Sequence, residues 1–408
     1  MQVAGTLPVI QPSHWPSRPS PWSFSVLKGI EDCPRRWALS AAAYPEIWDF
    51  TGYPPLMNVK ALAGQVIHEA IKKISAALMD AGCGSMRESA AVPILRDIGG
   101  FTNVLNTILE RTVGRYRANP RVARVLDRIT AELIRDIPMM RQQVQVHLNR
   151  LTFGPRRSSY PSTSGSAARG PLGEGSHSEL KLQSMDLDWV GIVDLLQIND
   201  GQCWIREFKS GSADERHREQ LHAYTLLWAD DKLRNPDNIP VGRLVLSYAD
   251  RWFDITPLSA DALAAFRTEL RARVAAAAKS VTEDPPVARP GPEKCRFCDV
   301  RQLCKEYWDV LQTPGIAGAT DDLLGDMEVV VSAQRGPRSW DAAVVRSAWL
   351  PRESPIILAL SNTGSLAASV IASGMQVRLL NVSRTDQAET EERPLVSITA
   401  RTEIFTIG

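Results

Sequence analysis

The heptapeptide Ile205-Arg-Glu-Phe-Lys-Ser-Gly211 sets Glu207 and Lys209 two positions apart between apolar neighbours. On a strand, side chains two apart share a face, so carboxylate and ammonium project together while Phe208 points the other way, into a core. The segment Gly191-Ile-Val-Asp194 lies at hairpin distance before it, across the turn signal Asn199-Asp200-Gly201, which brings Asp194 nearly opposite Arg206–Glu207. Two converging carboxylates with few other ligands suit Mg²⁺ or Mn²⁺, hard cations that keep water in their shell. A lysine beside them could orient or deprotonate a water, or stabilise charge developing on a phosphate. An isolated Glu-x-Lys is more simply the solvated face of an amphipathic strand, because so short a motif recurs by chance. The flanks weigh against that reading: Ser210-Gly211 follow the pair, and Gln220 and Tyr224 sit at i, i+4 spacing on the next helix.

A second group of chemistry-bearing residues is the cysteines. Of Cys33, Cys83, Cys203, Cys295, Cys298 and Cys304, the last three fall in CRFCDVRQLC, a Cys-x2-Cys-x5-Cys spacing. Three thiolates need a fourth ligand for a tetrahedral site, and Cys33, a more distant residue or a histidine could supply it. Cys83 and Cys203 have no partner at ligand spacing, and Cys203 belongs in packed core. A disulfide framework is not expected in a reducing compartment.

The elements that must position these residues follow from periodicity. Residues 22–43 read as a helix with Ser25 as N-cap, bent or interrupted at Pro34. A second helix is expected over 59–79, with Leu62, Val66, Ile67, Ile71 and Ile74 on one face, and further helix over 101–150, broken near Pro120 and Pro138. The Gly-, Ser-, Pro- and Arg-rich stretch 154–178 predicts a long mobile loop. Strands through 179–209, a helix over 214–233, a strand in VGRLVLSYAD and a helix over 259–279 complete an α/β unit spanning 22–313. Residues 1–21 read as a flexible leader. Residues 315–408 contain short β-rich segments and neither histidine nor cysteine, which predicts a small separate all-β barrel or sandwich. An OB-type barrel binding single-stranded nucleic acid fits that pattern, with an SH3-like barrel or docking sandwich as the competing forms. There Trp340, Trp349, Arg346 and Arg378 could meet bases or phosphates, although core packing and ordinary solvation are the simpler readings of each residue.

The 408 residues carry 47 Lys and Arg against 46 Asp and Glu, so any groove for an anionic partner must be a local one. No run of 18 apolar residues suggests a membrane span. The N-terminus lacks a basic region followed by an apolar one, so no secretory signal is expected and the chain reads as cytoplasmic.

The run GIVD, a hairpin, EFKSG and then QLHAY resembles the PD-(D/E)xK nucleases of the RecB and AddB kind, which include the exonucleases of CRISPR spacer acquisition. Upstream, Gly64-Gln-Val-Ile-His68-Glu69 fits the family's helical G-x-x-x-H-x motif. The resemblance implies a restriction-endonuclease-like core with extra helices. It implies that His68, Asp194 and Glu207 bind the metal, that the Phe208 carbonyl assists, and that Lys209 is the catalytic lysine. Glu179 would match the upstream acidic position, and Gln220 and Tyr224 would support the site or position DNA. The pair here begins with Glu where the family more often has Asp. In the family's iron–sulfur members a fourth cysteine lies in a CP dipeptide after an S-x-S-x-L start, matched by Cys33-Pro34 after Ser23-Phe-Ser-Val-Leu27. This implies a 4Fe-4S cluster on Cys33, Cys295, Cys298 and Cys304, with zinc as the competing metal. The expected activity is therefore Mg²⁺- or Mn²⁺-dependent hydrolysis of DNA, single-stranded or at free ends, in repair, recombination or anti-phage defence. Two other classes compete with it: a non-cutting DNA-binding or scaffolding subunit of a helicase–nuclease complex, and an iron–sulfur redox protein. The chain has no G-x-x-x-x-G-K-(S/T) segment, so ATP-driven unwinding would come from a helicase partner.

Overall fold

The computed structural model describes residues 6–123, 125–153, 169–209, 211, 213–311, 324–361, 371–384 and 393–408. A short strand β1 (Leu7–Pro8) precedes helices α1 (Phe24–Asp32) and α2 (Pro34–Ala41). Ser23, not Ser25, caps α1: its backbone is extended and its Oγ accepts the Val26 amide at 3.3 Å. Pro34 opens α2, where its missing N–H costs no helical bond, so the interruption falls on Cys33, which is extended between the two helices.

Next come α3 (Val59–Asp80), α4 (Ala91–Asp97), α5 (Gly100–Gly114), α6 (Leu126–Arg135) and α7 (Ile137–Asn149). Asn58 caps α3 by accepting the Ala61 amide at 3.1 Å. The expected break at Pro138 lies instead at Asp136, because proline is tolerated in the first turn of α7. The helix α4 escaped the periodicity reading.

The sheet strands are β2 (Gly175–Ser184), β3 (Trp189–Asn199), β4 (Gln202–Lys209), β5 (Val241–Tyr248) and β6 (Trp252–Ile255), in that spatial order, with α8 (Glu215–Asp230) crossing between β4 and β5. The β4–β5 pair is parallel and the others are antiparallel, so only that step needs a helical crossover. Of the expected loop 154–178, residues 154–168 lie outside the described residues, and β2 already begins at Gly175, where Ser176 bonds the Gln197 amide at 2.9 Å. Helices α3, α5 and α7 cover one sheet face around Leu195 and Phe208. The other face, with Leu196, Ile205 and Leu244, packs against α1, α8 and α9 (Ala260–Thr282). This two-sided cover explains why strand residues alternate between two cores rather than between core and solvent.

The cysteine-bearing segment follows as α10 (Pro292–Cys295), a 3-10 turn (Arg301–Leu303) and α11 (Lys305–Val310). The C-terminal strands are β7 (Leu324–Gly336), β8 (Ser339–Ser347), β9 (Pro355–Leu360), β10 (Gln376–Arg384), β11 (Leu395–Ile398) and β12 (Glu403–Ile407). Their order is β7-β8-β9-β11-β10, β10 pairs back onto β7, and β9 and β11 run parallel, so five strands close on themselves. Trp340 fills the centre of this barrel, and Trp349 covers Gly325 so closely that a Cβ there would meet its indole. Arg378 is committed to Glu328 at 2.9 Å and lies over the Trp308 ring, while Arg346 stands 3.8 Å from both Asp309 and Glu328. Neither Trp340 nor Arg378 is therefore free to meet a nucleic acid.

The barrel and the α/β unit share buried contacts. Buried Arg301 donates to Asp326 of β7 at 2.5 Å, and the same carboxylate accepts the Tyr307 hydroxyl and the Asn381 amide. Arg121 reaches both Glu403 of β12 and the Asp299 carbonyl. Within the segment expected as a leader, Leu7 is buried and β1 pairs with Phe405–Thr406 of β12.

Gly191 sets how closely α8 approaches β3. A Cβ at this position would stand 2.7 Å from the Tyr224 ring and 2.8 Å from Leu227. Gly191→Ala is expected to destabilise the protein by about 1–3 kcal/mol through overpacking, read as a lowered midpoint in urea unfolding.

Candidate active site

The turn between β3 and β4 has Asp200 and Gly201 both in the left-handed region, with φ of 49° and 71°, closing a two-residue hairpin flanked by the Asn199–Gln202 pair. That turn fixes the register: Leu195 pairs with Arg206, so Asp194 stands opposite Glu207. On the other side, Ser178 pairs with Leu195 and Leu180 with Val193, which puts Glu179 opposite Asp194. Glu179, Asp194 and Glu207 thus form a row across three neighbouring strands. The ladder is interrupted at Glu179, whose φ of 50° is unusual for a residue with a side chain.

Around this row the hydrogen bonds are specific. Asp194 Oδ2 accepts the Phe208 amide at 2.7 Å and lies 3.7 Å from His68 Nδ1 on α3. Lys209 Nζ donates to Glu207 Oε1 at 3.0 Å and to Gln220 Oε1 at 2.8 Å. Gln220 Nε2 bonds Glu207 Oε1 at 3.1 Å and the Tyr224 hydroxyl at 2.7 Å, and that hydroxyl donates to the Ile192 carbonyl at 2.7 Å. A single chain of contacts therefore runs from the lysine through the glutamine to the strand that carries Asp194. Lys72 stands 3.7 Å from Glu179. On the opposite side of β4, Phe208 lies edge-on to His68 and to His147, with centroids at 6.4 and 5.4 Å.

The electrostatics mark Glu207. Its residue is 5% exposed, and Oε2 is buried without a hydrogen-bond partner. Burial, then the nearby Asp194 charge, push its carboxyl up to about 8 against the pull of Lys209. Glu179 is also raised, by burial against the opposing effect of Lys72. His147 is lowered to about 4 by burial and by Arg150, so it is neutral behind Phe208. Burial also raises the Tyr224 phenol, which keeps it a hydrogen-bond donor.

Among the described residues, no group of three or more His, Cys, Asp and Glu side chains is arranged to hold a metal ion. Asp194 turns its Oδ2 to the Phe208 amide, and Glu207 Oε1 is taken by Lys209 and Gln220. The donor set still fits a hard divalent cation: carboxylate oxygens opposite each other, one imidazole, and an orphaned buried oxygen on Glu207.

The four expected cluster cysteines are free thiols. Cys33 lies near enough for its charge to raise both Cys295 and Cys304, after the larger effect of burial. Burial pushes Cys298 and Cys304 up to about 12. Cys33, Cys295 and Cys304 thus lie within electrostatic reach of one another. Cys203 is fully buried core.

A cleft of about 980 Å³ opens over the carboxylate row, between the sheet edge of α8 and the helices α3 and α5. Its wall carries Lys72, Lys73, Arg111 and Arg115, which the strand motifs gave no reason to select. The signal was available in part: Gln65, His68 and Lys72 recur on one face of α3, the face opposite its apolar stripe. Ile192, two residues before Asp194, stays 54% exposed on the cleft floor although it is apolar. Among the described residues, no helix is long and apolar enough to cross a membrane.

No curated protein matches the chain. Among solved structures it is similar to the crystal structure of SSO0001, at 17% identity and a TM-score of 0.21, covering 32% of this chain. The chain spans 60% of that protein's length. The profile of the PD-(D/E)XK nuclease superfamily matches residues 21–305, the span that contains His68, the three-carboxylate row, Lys209 and Gln220. By that match over most of its length, the chain belongs to the PD-(D/E)XK nuclease superfamily.

Proposed function

We propose that this protein is a metal-dependent deoxyribonuclease in which Asp194 and Glu207, with His68, hold Mg²⁺ or Mn²⁺ and Lys209 serves the hydrolytic step. The observation that carries this reading is the carboxylate row with a buried, unpartnered Glu207 oxygen beside a fixed lysine. A divalent cation bound there would polarise a phosphoryl oxygen and acidify a water. Glu207 and Gln220 hold the Lys209 ammonium at the row, where it can orient an attacking water or meet charge developing on the phosphate. Tyr224 anchors Gln220 to the β3 backbone, so the lysine is positioned by the sheet rather than by a loop. Asp194 in turn receives the Phe208 amide, which locks the β4 backbone beside it.

The same reading assigns an iron–sulfur cluster to Cys33, Cys295, Cys298 and Cys304, with zinc as the competitor. Its support is that Cys33 sits at the break between α1 and α2, near Cys295 and Cys304 from more than 260 residues later in the chain. It also reads the domain expected over 315–408 as an OB-like barrel, supported among its described residues by five strands closing in the order β7-β8-β9-β11-β10 with β9 and β11 parallel. DNA with a single-stranded region or free end is the substrate this arrangement suits, and a helicase is the partner that would supply it.

Three outcomes test the assignment. Lys209→Ala should lower DNA cleavage in Mg²⁺ or Mn²⁺ by about 10²–10³-fold, the range seen when one preorganised donor is lost, with its circular dichroism unchanged. Wild-type cleavage by that variant would remove lysine from the mechanism. For Glu207, the carboxyl is raised above its unfolded value of 4.5, so the folded state binds the extra proton. Its contribution to stability is complete below about pH 4.5 and is lost as pH rises through about 8. In cation-free buffer, Glu207→Gln should therefore gain stability relative to wild type as pH climbs across that window, read from paired thermal melts. Finally, Cys33→Ser should reduce the iron and sulfide content of anaerobically purified protein. Zinc in place of iron in the wild type would reassign the metal.

A further inference from the structure

We propose that Lys73, Arg111 and Arg115 form a phosphate-seating wall that positions a nucleic-acid strand next to the bond at the carboxylate row. The proposal rests on the nuclease reading above and adds to it the side chains that would hold the substrate's backbone. All three are exposed, and all three line the same cleft as Asp194 and Glu207. Arg111 lies in the last turn of α5 and Arg115 is its C-cap, still in helical conformation, so the two stand four residues apart on one face. Lys72 and Lys73 lie one turn beyond His68 on α3, roughly 6 Å along the axis at 1.5 Å per residue.

These three cations and the neighbouring Lys72, which lines the same cleft, differ in what already occupies them. Lys72 faces Glu179 at 3.7 Å, which ties it to the carboxylate row. Arg111 is paired with Glu69, and both side chains remain partly open to solvent, so the pair is an exposed one that contributes little and can exchange for a phosphate. Among the described residues, Lys73 and Arg115 have no ion-pair partner. The chain as a whole is nearly neutral, at a net +1, so cations gathered on one wall of one cleft are a local feature. An anionic backbone laid against that wall would bring a phosphodiester over Asp194 and Glu207 from the side of His68.

The test is binding in EDTA, where turnover is stopped. Fluorescence anisotropy of a labelled single-stranded oligonucleotide and of the matching duplex is measured across a salt series. Each phosphate contact contributes about 0.7 to the slope of log K against log salt for a single strand and about 0.9 for a duplex. The triple variant Lys73→Ala, Arg111→Ala, Arg115→Ala should lower the slope by about 2.1 if a single strand is seated and by about 2.7 if a duplex is. The charge-retaining set Lys73→Arg, Arg111→Lys, Arg115→Lys should restore most of it. Lys73→Ala alone, at an exposed position without an ion-pair partner among the described residues, should keep the wild-type melting temperature and lower the slope by about 0.7–0.9. An unchanged slope in the triple variant, a loss of affinity with no change of slope, or no binding by the wild type overturns the proposal. The two readings separate cleanly. If Lys209→Ala still cuts while the wall variants lose slope, the catalytic assignment fails and the wall stands. If Lys209→Ala is inactive while the slope is unchanged, the wall alone fails.

Discussion

The arrangement depends on the two-residue turn at Asp200-Gly201. Because side chains alternate across a strand, a one-residue slip between β3 and β4 would send either Asp194 or Glu207 to the opposite core. The left-handed conformation of both turn residues excludes such a slip by fixing which residues close the hairpin. The cross-strand contacts at the site are downstream of that register. The Phe208 amide finds Asp194, and Gln220 on α8 can link Glu207 on β4, through Tyr224, to the Ile192 carbonyl on β3 only because the strands are aligned.

The site is also held apart from its ground state of comfort. Glu207 is buried with one oxygen unpartnered, and Glu179 adopts a backbone conformation that side chains ordinarily avoid. Natural proteins retain such costs where the surrounding structure over-determines them, and they cluster at functional positions. Here the surrounding structure is two helical layers. Cores on both sheet faces fix the strands, and α8 closes onto β3 through the space left by Gly191.

Much of this was legible in the sequence, and the reasons are local. The Asp-Gly turn and the two-residue spacing of Glu207 and Lys209 carry their geometry in a few adjacent residues. The same holds for the α3 stripe and for the helix starts expected at residues 214 and 259, which prove to be the caps Asp214 and Ser259. Less local features were misplaced or missed. The α1 cap is Ser23 rather than the expected Ser25, because either hydroxyl suits a cap and only the chain's approach distinguishes them. The strand β2 reaches back to Gly175 because Ser176 has a partner on β3, a pairing invisible in a Gly- and Ser-rich stretch. Arg111 and Arg115 join the cleft through the packing of α5 on α3, which no spacing motif encodes.

Residues 7–8 pair with residues 405–406, and the cysteine-bearing turn is gripped from the barrel side by Asp326 and Glu403 through Arg301 and Arg121. This has a temporal consequence. A ribosome releases β1 long before its hydrogen-bonding partner β12 exists, so β1 must wait, unsatisfied, for about 400 residues of further synthesis. Contacts of such large sequence separation form late. The α/β unit can assemble its sheet as it emerges, but β1 closes onto β12 only after residue 406 has been made.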